Sequence, residues 1–113
     1  MLIRRQADVV PEPVGDAPGV TIRWYIAAPQ GARRFALRLI EVQPGASTPR
    51  HTHAEEHETF VVAGEGAVWS GQGERDIHPG DAVFIPPQEL HAFRSTGDVP
   101  LRFICVIPLL PGD

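Results

Sequence analysis

The chain of 113 residues contains no lysine, one cysteine, one methionine and one tyrosine. With Cys105 as the sole cysteine, no internal disulfide can form, and a secreted, cross-linked domain gains no support. Its 10 basic residues are all arginine, scattered along the chain against 14 acidic residues, for a formal net charge of -4. That balance offers no basic footprint for nucleic acid or an anionic membrane surface. Apolar runs fall far short of the ~20 residues that cross a bilayer. The opening Met1-Leu2-Ile3-Arg4-Arg5-Gln6 is not followed by the apolar core of a signal peptide. A cytoplasmic protein whose partner is a small molecule is the expectation.

Helical signal is equally scarce. No segment carries a sustained 3.6-residue apolar period with caps at both ends, and in the nearest rival, residues 27–39, Pro29 and Gly31 interrupt the pattern. Punctuation, by contrast, is abundant: Gly 11 and Pro 12 fall between short apolar segments. Residues 1–19 read as an arm or loop, with Pro11, Pro13, Gly15, Pro18 and Gly19. Strand-like runs follow at 20–27, 35–42, 58–63, 67–70, 81–85, 91–95 and 101–107, rich in β-branched and aromatic residues. Pro44-Gly45, Gly64-Glu65-Gly66, Ser70-Gly71-Gln72-Gly73, Pro79-Gly80 and Thr96-Gly97-Asp98 supply the reversals between them. Regular short strands separated by turns point to one all-β domain over 20–113, a sandwich or closed barrel.

Chemistry concentrates in Arg50-His51-Thr52-His53-Ala54-Glu55-Glu56-His57-Glu58. In extended backbone, residues two apart project from one face at a spacing of about 6.5 Å, so His51 and His53 can aim two imidazoles at one point. His57 follows just before the next strand-like run, and His91 heads a later one. A closed barrel could bring His91 back to the same cavity, which spacing alone does not show. Imidazole suits zinc, copper, iron and nickel. A histidine pair on an exposed strand can also be adventitious, and His78, which fits no pattern, reads as a surface residue. No nucleophile elbow surrounds Ser47, Ser70 or Ser95, and Gly64-Glu65-Gly66 lacks the third glycine and following helix of a phosphate loop.

The stretch from Gly45 to Gly64 resembles the first signature of the cupin superfamily: a glycine, His-x-His, a further ligand three or four residues on, and a closing glycine. Gly80 to His91 resembles the second, with its glycine, proline and single histidine. The resemblance covers nearly everything after Val20 and implies a double-stranded β-helix, or jelly-roll barrel. Many cupins carry a glutamate where this chain has His57. Adjacent strand residues face opposite ways, so His57 and Glu58 are not both ligands, and the resemblance implies His51, His53, His57 and His91 as the set. That set is similar to a subgroup of small single-domain manganese cupins with four-histidine sites. Gln88 stands where the second signature usually has glycine, and Ser95 where it has asparagine.

The resemblance implies one divalent transition metal per chain, manganese first, with iron, nickel, copper or zinc as alternatives. Cupin-like geometry leaves two neighbouring positions open for water, substrate or dioxygen. Four neutral imidazoles leave the +2 charge uncompensated, which favours anionic or enolisable oxygen ligands. The leading functional expectation is a dioxygenase-like oxidoreductase acting on a small enolisable or unsaturated compound. The alternatives are an isomerase or lyase on a sugar-like substrate, and a non-catalytic metal- or ligand-binding module. A homodimer paired through its sheets is expected by the same resemblance, with the N-terminal segment a candidate to cross to the partner. Glu56, Glu58 and Gln88 are candidates by proximity to orient the ligands, though the two glutamates read first as solvated surface carboxylates. Arg38 and Arg102 read as outward-facing, though either is a possible anion anchor. Cys105 reads as a small buried hydrophobe, and Trp24 and Trp69 as core or interface aromatics.

Overall fold

The structure, a computed structural model, describes residues 1–111, so the last two residues of the expected 20–113 domain lie outside it. Nine strands form two sheets. They are β1 (Glu12–Pro13), β2 (Val20–Ile26), β3 (Phe35–Val42), β4 (His57–Ala63), β5 (Gly66–Ser70), β6 (Gly73–Ile77), β7 (Ala82–Ile85), β8 (His91–Ser95) and β9 (Leu101–Pro108). One sheet has the order β1-β2-β3-β9-β4-β7 and the other β6-β5-β8. The only helical pieces among the described residues are 3-10 turns at Gln6–Asp8 and Ala28–Gln30. The all-β jelly-roll expectation holds.

Alternation explains why the sheets face each other. On β4 the odd residues His57, Thr59 and Val61 are buried while Glu58, Phe60 and Val62 are exposed, as a period of two requires. Leu101, Phe103 and Cys105 on β9 point the same way and are almost wholly enclosed. Together with Val20, Ile22, Ile40, Val42, Ile85 and Phe93 they form one core between the sheets, in which the Phe93 and Phe103 rings stack at 4.4 Å. Gly64 makes the β4–β5 reversal possible, with φ +78 and a backbone so close to Pro100 and Leu101 that no side chain fits.

Two strands went unread in the sequence. In β6, four of five residues are exposed, so the apolar alternation that marks a strand is absent; pairing with β5 across a tight turn holds it in place. β1 is a two-residue edge strand inside the expected arm, paired with β2. The arm itself lies on its own barrel. Arg4 donates from Nη1 to the carbonyls of Trp24 and Tyr25 (3.2 and 2.8 Å), and Val9 is buried.

Candidate metal centre

Barrel closure brings the four histidines together. His51 and His91 form an isolated antiparallel bridge, exchanging N–H···O bonds of 3.2 and 3.1 Å, so the loop before β4 is stitched to the head of β8. His57 opens β4 with its side chain inward, one residue earlier than the strand boundary expected from sequence. His53 hangs between them, its carbonyl accepting the Gln88 N–H at 2.8 Å. Gln88 adopts φ 68, a left-handed conformation that glycine accepts freely, which accounts for the glycine usual at this place in the resembling pattern. One ligand atom from each of His51, His53, His57 and His91 lies within 4.8 Å of all the others. His78 is remote from them and pairs with Glu65 on the surface.

Hydrogen bonds fix how these rings present their lone pairs. His51 Nδ1 lies 2.9 Å from the Pro49 carbonyl and His91 Nδ1 lies 2.8 Å from the Glu89 carbonyl. A carbonyl only accepts, so each Nδ1 carries the proton and each Nε2 keeps its lone pair for the centre. His53 and His57 bring their Nε2 atoms to 2.6 Å from each other. Two imidazoles that approach nitrogen to nitrogen, beside two more aimed the same way, suit a shared cation. The donor set and its tautomers fit a divalent transition metal.

Burial also favours the neutral form of three of the ligands. The pKa of His57 is pushed from 6.5 to about 3, first by burial, then by the Arg38 guanidinium and the neighbouring histidines. Burial likewise lowers His53 and His91. A proton therefore competes weakly for these nitrogens near neutral pH.

The orienting partners are none of the three candidates. Glu58 points outward and pairs with Glu56, and Gln88 reaches the site only through its backbone and Thr52, so none of the three holds a ligand ring. Backbone carbonyls serve His51 and His91, while His57 Nδ1 meets Cys105 Sγ at 2.6 Å. Arg38 Nη2 donates to the same sulfur at 3.0 Å and stands 3.3 Å from His57 Nδ1. Arg38 is thus turned inward, contrary to the default reading. Its position follows from register: Trp24, Arg38, Cys105 and Thr59 are successive cross-strand partners on β2, β3, β9 and β4, one row across the inner face. Arg102 does face outward, paired with Glu41 at 3.2 Å. Cys105 is buried as expected, but its sulfur serves as a hydrogen-bond acceptor, and burial raises its thiol pKa against the pull of Arg38. Trp24 packs against the core and lies under the Arg38 guanidinium at 5.2 Å, and Trp69 carries Arg50 at 3.9 Å.

Two spaces adjoin the histidines. A small one of about 80 Å³ reaches into the barrel between Ile40, Phe93 and Phe103. Another of about 220 Å³ is walled by Trp24, Arg38, His53, Glu55, His57 and Ile107.

The chain is similar to the polyketide cyclase RemF of Streptomyces resistomycificus, at 38% identity and a TM-score of 0.89 over 96% of this chain and 79% of that one. It is 32% identical to the 1-methylthio-D-xylulose 5-phosphate methylsulfurylase of Rhodospirillum rubrum, over 88% of this chain and 67% of the relative. It is 35% identical to an oxalate-binding protein of Thermotoga maritima, over 70% of this chain and 64% of the relative. The chain thus spans about two thirds of the length of these two curated relatives. The family profile of the cupin domain matches residues 38–107, from the inward Arg38 through all four histidines to the end of β9, and the chain belongs to that family.

Proposed function

We propose that the chain is a metal-dependent enzyme acting on a small enolisable or unsaturated compound that binds through oxygen. His51, His53, His57 and His91 would hold one divalent transition metal, manganese first, as in four-histidine cupins. The observation that carries this reading is the convergence of four ring nitrogens, two of them on rings whose tautomers are set by the Pro49 and Glu89 carbonyls. When bound, the metal supplies a Lewis-acid centre whose charge no ligand neutralises.

The chain's own groups do the rest. Ile40, Phe93 and Phe103 keep water from the inner wall, which strengthens every charge interaction there. Arg38 places a second positive group beside His57, suited to a carbonyl oxygen that gains negative charge. The dioxygenase-like oxidoreductase and the isomerase- or lyase-type alternative both begin with this polarisation. Similarity to a polyketide cyclase over 96% of the chain favours the alternative, a rearrangement without net oxidation. Similarity to an oxalate-binding protein supports a ligand that offers two oxygens.

A cytoplasmic homodimer belongs to the same proposal. Exposed Phe60, Val62 and Phe84 form an apolar stretch on the outer face of the larger sheet, which sedimentation at rising concentration would test. The functional test is turnover of β-dicarbonyl compounds by manganese-loaded protein with and without oxygen. Equal turnover in both supports the non-oxidative route. Turnover that consumes oxygen supports the dioxygenase-type route, and tight binding without turnover in either overturns the assignment as an enzyme.

A further inference from the structure

Beyond the space beside His53 and His57 lies a second and much larger one, of about 760 Å³, roofed by the N-terminal arm. The two share Trp24, Glu55 and Ile107 as walls, so they adjoin across these three side chains. The combined size falls in the ~300–1,000 Å³ range of small-molecule sites. Their chemistry differs. The inner space has Arg38 and the ligand histidines. The outer one is built from Val9, Val10, Ala28, Leu109 and the faces of Trp24 and Ile107, with Asp8, Glu12 and Glu55 at its edge. Its one cation, Arg4, is committed: the guanidinium donates to the carbonyls of Trp24, Tyr25 and Asp8 at 3.2, 2.8 and 3.3 Å.

We propose that this outer space is the tail-binding half of the substrate site, and that it selects a neutral, apolar or aromatic tail on an oxygen-chelating head. The inference rests on the metal-centre reading and names the substrate class for it. An acidic enol or dicarbonyl head meets positive charge at Arg38 and the metal. A neutral ring behind it stacks between Trp24 and Ile107 and displaces water from apolar walls. A tail ending in carboxylate or phosphate meets three carboxylates whose nearest cation is already spoken for by backbone oxygens, and is rejected. Arg4 holds the arm in place over this space. It positions the roof and does not bind the ligand.

Metal-loaded protein titrated with acetylacetone, 1-phenylbutane-1,3-dione and the para-carboxylate of the latter tests this, read by Trp fluorescence and calorimetry. The phenyl tail is expected to tighten binding about tenfold or more over acetylacetone, and the added carboxylate to remove that gain. Ala28→Trp, which fills the outer space, should abolish the phenyl advantage while leaving acetylacetone binding unchanged. Glu12→Gln should recover part of the binding of the carboxylate form. Equal affinities with and without the phenyl group, or a phenyl advantage that survives Ala28→Trp, overturn the proposal alone. Failure of every diketone to bind the metal-loaded protein overturns the metal-centre reading and this proposal with it.

Discussion

Acidification should weaken the metal-free protein, and His57 sets most of the slope. Its ring is 6% exposed, and its pKa is held at about 3 against 6.5 outside the fold. Between those two values the unfolded chain binds a proton that the folded chain refuses. Stability is therefore fully present above pH 6.5 and is lost as pH falls toward 3. At about pH 5 the gap corresponds to about 2 kcal/mol, a large part of a typical ~5–15 kcal/mol total. His53 and His91, also lowered by burial, push in the same direction. His78, raised by Glu65, pushes the other way, but it is exposed and screened by water. Urea unfolding at about pH 7.5 and about pH 5 measures the difference. The native protein should lose at least about 2 kcal/mol and His57→Gln correspondingly less. An equal loss in the variant, or stability that rises on acidification, would refute the assignment of a neutral, buried His57.

Two further predictions separate the site from the scaffold. Cys105→Val removes the hydrogen-bond partner of His57 Nδ1 and should weaken metal binding about 10–100-fold in chelator competition, whereas Arg102→Ala, on the outer face, should leave it unchanged. Gly64→Ala forces a Cβ into the Pro100 carbonyl and to 2.8 Å from the Leu101 Cα at a left-handed φ, and should cost about 2–5 kcal/mol by denaturation. The folded fraction of that variant should still bind metal.

Strand positions were legible wherever a strand is half buried, as with the alternation of β4 or the apolar run of β9. β6 escaped because its exposed Gly-Glu-Arg-Asp sequence carries no alternation, and only its pairing with β5 makes it a strand. His51 and His53 were legible because they stand at strand spacing, and His57 and His91 through the resemblance to the two cupin signatures. Arg38 and Cys105 were not, since their roles come from register. Each is the other's cross-strand partner across 67 residues of chain, and neither has a local pattern to mark it. Backbone carbonyls that orient His51 and His91 carry no side-chain signature at all.

The most direct measurement is elemental analysis combined with X-ray absorption on protein loaded with manganese and freed of excess. One ion per chain, with four imidazole nitrogens in its shell and loss of the ion in His91→Ala, is the predicted result. Substoichiometric metal that reloading does not raise, or a coordination shell unaltered by His91→Ala, would contradict the four-histidine centre.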